Sequence, residues 1–107
     1  MPRAAQAACS LPSAASASLA VLGANLRLAR LRRGQSLRAW ALRLNVSVPT
    51  LIAMERGAPS VGMGVYATAL WLIDRHAALG ELAAPAHDAQ ALAGEMLVLQ
   101  RKGRKRL

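Results

Sequence analysis

The sequence has no Phe, one Cys, two His and only five acidic residues in 107 positions. Each scarcity excludes something. A lone cysteine, Cys9, cannot close an internal disulfide, which suits a reducing, cytoplasmic compartment. No basic residue stands nearer to it than Arg3, so its thiol is read as incidental. His76 and His87 are separated and lack partner ligands at metal-binding spacing, so no metal and no cofactor is expected. No Ser-His-Asp set, phosphate loop or carboxylate pair stands out, which argues against an enzyme. Residues 4 to 26 carry no charge, yet they are mostly Ala and Ser and are broken by Pro12. That is neither the apolar block of a membrane span nor the compact core of a signal peptide, and no membrane partner is expected.

What is present is Ala and Leu. Twenty-four residues are Ala, and Val and Ile are few. This composition favours helix, and no alternating pattern supports a strand, although "MLVLQ" (residues 96 to 100) leaves one open. The length allows one domain with a small core. The net charge of +9 is uneven. The last seven residues, "RKGRKRL", hold five cations and no acid, while between residues 17 and 96 eight Arg stand against five acids. Such a surface attracts nucleic acid, an anionic membrane or an acidic protein.

The small-residue stretch 1–16 reads as a disordered arm. A first helix is predicted from Ser16 or Ser18 to about Arg33, with Leu19, Leu22, Leu26 and Ala29 on one face and Gly34 as its stop. Ser36 caps a second, Leu37 to Leu44, whose inner face is Trp40, Ala41 and Leu44. Asn45 suits a left-handed turn, and Val46 plugs the corner. Ser47 caps a third helix, Val48 to Arg56, with Pro49 in its first turn, Leu51 and Met54 inward, and Gly57 at its end. Ser60 caps a fourth, Val61 to Ile73, striped by Val61, Val65, Ala69, Leu70 and Ile73. A fifth runs from Arg75 to Ala83, and a sixth opens at His87 or Asp88 with Leu92, Met96 and Leu99 on one face. Trp40, Tyr66 and Trp71 read as core or interface residues.

Two short helices joined at one Asn and followed by a capped third-helix start form a helix-turn-helix layout. From Leu22 to Ile73 the chain resembles the lambda-repressor-like, or XRE, family of DNA-binding domains. The matching places are Leu22-Gly23, Arg30, Ser36, Trp40-Ala41, Asn45-Val46-Ser47 and Glu55-Arg56-Gly57. The stretch from "PSVGMGVY" to "LAAPAHD" resembles the HipB-like antitoxins encoded beside HipA-like kinase toxins. The resemblance implies an all-α fold of five or six helices, with a DNA-binding domain over 17–86 and a C-terminal helix and basic tail over 87–107. It implies a structural ion pair between Arg30 and Glu55, and a homodimer on double-stranded DNA.

Under that resemblance the third helix enters the major groove. Ser47, Val48, Pro49, Thr50, Ile52 and Ala53 then face base edges. Ser36, Arg38, Arg43 and Arg56 hold phosphates, and Gly62 and Gly64 leave room for backbone approach. The chain departs from the family in lacking Arg or Lys at Val48, Ile52 and Ala53, and in having Leu37 where many relatives have a phosphate-binding Gln. Softer base specificity and more shape-based readout follow. Two functions are thereby expected: a DNA-binding repressor, in its narrower form an autoregulating antitoxin of a HipA-like kinase, or a helical module that neutralises a partner protein with little DNA binding.

Overall fold

The computed structural model describes residues 11–106. Its helices are α1 (Ser13–Arg32), α2 (Leu37–Leu44), α3 (Val48–Glu55), α4 (Met63–Leu72), α5 (His76–Glu81) and α6 (Ala89–Arg106), with a 3-10 turn at Pro85–His87. No strand occurs among the described residues. The described residues form an all-α structure, and the chain divides into two compact units, one through His76 and one from Ala77.

In the N-terminal unit, α1 begins at Ser13, earlier than Ser16 or Ser18, so part of the expected arm is helical. Residues 1–10 of that arm, Cys9 included, lie outside the described residues. The early start has a local cause. The Ser16 amide already donates to the Pro12 carbonyl at 2.9 Å, and the Ala-rich turn that follows contains no breaker.

The ends of four successive helices share one device. Gly34, Asn45, Gly57 and Asp74 have φ of 63°, 57°, 73° and 58°. Each sits just past a helix, and its amide reaches back to a carbonyl of the last turn: Gly34 to Leu31, Asn45 to Leu42, Gly57 to Met54 and Asp74 to Trp71. The next amide reaches one residue further back, to Arg30, Ala41, Ala53 and Leu70 respectively. These paired bonds satisfy the orphan carbonyls of the helix ends and turn the chain sharply. Asn45 thus makes the turn predicted for it, and Val46 packs against the core.

The core is Leu26, Trp40, Ala41, Leu44, Leu51, Met54, Tyr66 and Ala69. On α4 the most buried residues are Tyr66 and Ala69, not the whole predicted stripe. The helix starts at Met63 behind Gly62, with no side-chain cap, so Ser60 lies outside it. Tyr66 donates its hydroxyl to the Ala58 carbonyl at 2.8 Å, pinning α4 to the end of α3, and burial raises its pKa. Trp40 is 1% exposed, whereas Trp71 is 62% exposed and no part of the core.

α1 rests on α3 at two points. A Cβ on Gly23 would lie 2.6 Å from the Gly57 nitrogen and the Met54 oxygen, and one on Gly57 would lie 2.5 Å from the Ala20 Cα. The two backbones therefore meet directly. Two turns further along α1, Arg30 Nε donates to Glu55 Oε2 at 2.8 Å and Nη2 donates to Oε1 at 3.1 Å. Its Nη1 donates to the Gln35 carbonyl at 2.9 Å, tying in the link to α2. Both residues are buried, and no buried side-chain N or O among the described residues lacks a partner.

In the C-terminal unit, α5 is shorter at both ends than predicted. Asp88, rather than His87, opens α6: its Oδ1 accepts from the Ala91 amide at 3.0 Å. The "MLVLQ" stretch is helical, and the helix continues to Arg106 through the segment expected to be a tail. Lys and Arg are good helix formers, and cations suit the carbonyl end of a helix, which outweighs the single Gly103.

Three sites carry expected outcomes for stability. Arg30→Ala should cost about 3–5 kcal/mol in a denaturant melt, because it strands the buried Glu55 carboxylate. Gly23→Ala should cost about 1–3 kcal/mol or more, because the contacting atoms are backbone and cannot swing aside. Asn45→Gly should be neutral or mildly stabilising in a thermal melt, while Asn45→Val should lose roughly 1–2 kcal/mol to the left-handed backbone. Equal tolerance of Gly and Val would contradict the turn geometry.

Candidate nucleic-acid interface

The surface of the N-terminal unit is strongly basic. Arg27, Arg32, Arg33, Arg38, Arg43, Arg56 and Arg75 are exposed, and among the described residues of this unit Asp74 is the one exposed acid. Arg30 and Glu55 contribute nothing outward, since each neutralises the other inside.

α2 and α3 pack against each other across the Asn45-Val46-Ser47 turn. Each starts on a serine. Ser36 Oγ accepts from the Ala39 amide at 3.0 Å, and Ser47 Oγ accepts from the Thr50 amide at 3.2 Å. Ser caps leave the first amides of a helix pointing outward without a partner, where an anion can be held. Ser36 and Ser47 are both exposed.

At the start of α3 the two hydroxyls are also joined, with Ser47 Oγ and Thr50 Oγ1 2.9 Å apart. A pair of hydroxyls has two protons, and this bond uses one. Whichever oxygen donates, one O–H stays free to donate outward. The pair can therefore give one hydrogen bond to an acceptor on a ligand while keeping the helix cap.

Leu51, Met54 and Glu55 fill the inward side of α3. At 100° per residue the opposite line is Pro49, Ala53 and Arg56. Pro49 and Arg56 are exposed and Ala53 is half-buried. Thr50 and Ile52, also half-buried, flank this line on either side. Val48 does not belong to the outward set: it is half-buried and packs against the core, because it lies less than a quarter turn from Glu55. Of the six residues read as base-facing, the five other than Val48 stay off the core and are arranged around Pro49.

The cations are held to different degrees. The Arg43 guanidinium lies over the Trp40 ring, 5.1 Å from its centroid, a cation–π contact that holds the side chain and keeps its charge outward. The sequence carried a signal for this in the i, i+3 spacing of the two residues on α2. Arg33 donates to the Ala29 carbonyl at 3.0 Å. Arg38 and Arg56 are exposed. A Cβ on Gly62 or Gly64 would meet nothing within 4 Å. Their lack of side chains is therefore not demanded by packing within the chain.

No group of three His, Cys, Asp or Glu side chains able to hold a metal occurs among the described residues. No helix among them is long and apolar enough to cross a membrane. Set against models of known protein families, against curated proteins and against solved structures, the chain matches none.

Proposed function

We propose that this chain is a sequence-specific DNA-binding regulator of the lambda-repressor-like, helix-turn-helix kind, acting as a homodimeric repressor in the cytoplasm. The observation that carries the reading is the α2–α3 pair: two eight-residue helices, each started by an exposed Ser, joined by a left-handed Asn45, on a unit whose described residues expose seven Arg against one acid. An α-helix of this kind fits the major groove of B-DNA, with its N-terminal side chains at the base edges. Ser47, Thr50 and Pro49 then stand at the bases, with Ile52 and Ala53 beside them. Thymine methyls suit the apolar members, and the free hydroxyl proton of the Ser47–Thr50 pair suits a base acceptor. Phosphates fall to the Ser36 helix start, the Arg43 clamp, Arg38 and Arg56, with Gly62 and Gly64 allowing close approach. In its narrower form the protein is the antitoxin of a HipA-like kinase and represses its own operon.

A second reading has its own support. α6 exposes Leu92, Met96, Leu97, Val98 and Leu99, and α3 has no cation on its outward line before Arg56. A helical module that neutralises a partner protein would look so. Fluorescence anisotropy on the DNA upstream of the gene and on scrambled duplex separates the two. The repressor should prefer the upstream DNA. Thr50→Ala should weaken that preference by about 1–3 kcal/mol, because it removes a hydroxyl and a methyl from the base-facing set. A wild type with no preference, or a Thr50→Ala variant that keeps it, sinks the repressor reading in favour of the module.

Deleting residues 101 to 107 should act differently. Each Lys or Arg that meets a phosphate adds about 0.9 to the magnitude of the slope of log K against log salt. Removal should flatten the slope and weaken binding to all duplex DNA alike. A change in sequence preference at constant slope would mean that this end of α6 reads bases or a protein instead.

A further inference from the structure

α1 is apolar on two opposite sides. The inner side holds Leu22, Gly23, Leu26 and Arg30, against the core and α3. The outer side holds Ala14, Ala17, Val21, Ala24, Leu28 and Leu31, all exposed. Val21, Leu28 and Leu31 are 59%, 52% and 46% exposed. The spacings alternate three, four, three, four, three, which is the a and d pattern of a coiled-coil seam. At 1.5 Å per residue the seam from residue 14 to residue 31 is about 26 Å long. No polar residue interrupts it. A surface helix needs only one apolar stripe to bind its own core, and this one carries a second.

We infer that the outer seam of α1 pairs with the same seam of a second copy of this chain, the two helices running antiparallel. Side-chain size decides the occupant and the direction. The seam is small at its start, with Ala14 and Ala17, and large at its end, with Leu28 and Leu31. Antiparallel pairing about the point between Leu22 and Gly23 sets Ala14 against Leu31 of the second copy, Ala17 against Leu28, and Val21 against Ala24. Every layer then holds one small and one larger side chain, and the two helices keep an even separation. Parallel pairing would stack Ala on Ala at one end and Leu on Leu at the other, leaving a gap where the seam is narrow.

Charge points the same way. The seam is flanked by Ser18, Asn25 and Arg32 on one side and by Ser13, Ala20 and Arg27 on the other. In a parallel pair Arg27 of each copy would meet Arg32 of the other, a like-charge contact made twice. In the antiparallel pair Arg32 faces Ser18 and Arg27 faces Ser13. Asn25 meets Asn25 across the two-fold axis, where two amides can bond to each other. The small residues that an independent helix would not need are those that the partner's large ones require. A two-fold self-match of this kind is what an isologous dimer interface demands. The pairing supplies an interface for the homodimer of the proposed regulator, yet it rests on α1 alone and is tested without DNA.

The test is sedimentation of the full chain across the micromolar range, wild type beside Leu28→Glu. Leu28 lies outside the core, and a glutamate there stands four residues before Arg32, an arrangement that favours helix. The circular dichroism spectrum should be unchanged, and the dissociation constant of the dimer should rise at least about tenfold. Direction is read by disulfide crosslinking in a Cys9→Ser background. An equimolar mixture of Ala17→Cys and Leu28→Cys chains should crosslink mainly between the two variants. A wild type that stays monomeric overturns the proposal, as it would if the seam were covered by another part of its own chain. So does a dimer that Leu28→Glu leaves intact, and so do crosslinks confined to like variants.

Discussion

Arg30 and Glu55 are two charges held inside a small helical unit, and little in that unit could move while they stay paired. A buried ion pair offsets its desolvation only if both ends keep their hydrogen bonds. Here the guanidinium meets both carboxylate oxygens and a backbone carbonyl as well. Such a fork has direction as well as strength. It sets the height of α1 against α3 and the rotation of both. The Gly23–Gly57 contact repeats the constraint two turns away, since seven residues return to nearly the same helix face. With Glu55 turned inward beside Leu51 and Met54, the outward line of α3 has no freedom left: it is Pro49, Ala53 and Arg56.

The parts of this unit that could be read from sequence are those where one residue carries one local mechanism. Ser36 and Ser47 cap helices because a hydroxyl at that place accepts an amide proton. Gly34, Gly57 and Asn45 tolerate positive φ, and each marks a helix end. The Arg30–Glu55 contact was legible through the resemblance and not through spacing alone, because nothing local links residues 25 apart. Where the local signal was ambiguous the boundary moved. Ser16 and Ser18 both look like caps, and the Ala-rich turn around them carries helix back to Ser13. Asp74 performs the same left-handed turn as Gly34 without the composition that would announce it. Val48 was read by its place after a cap, but its side chain is decided by the packing of its neighbours on the core.

The α6 segment shows a different limit. Its last residues are a dense run of cations, which by composition alone reads as a solvated tail. Composition measures repulsion between charges but says little about where the helix preceding them stops. A helix already begun at the Asp88 cap adds each further residue at low cost, because nucleation has been met. Basic residues at its carbonyl end are also placed where the helix dipole favours them. The same charges can thus be helical here and still present themselves to an anion.

The candidate interface divides its work in a way that bears on the proposed function. The α3 line that would meet bases is nearly uncharged, whereas the cations sit on the elements around it: Arg43 held over Trp40, Arg38 on the same helix, Arg56 at the far end of α3. A surface so arranged draws in a polyanion without regard to sequence, because Coulomb attraction to phosphates carries no base information. Discrimination would then depend on a hydroxyl proton, a few methyl contacts and the shape of the groove. Each of these is short-ranged and tolerates little displacement. Under the proposed function, α3 would gain more from being held rigidly than from added charge. That is the physical reason for the buried ion pair behind it to matter as much as any residue on its surface.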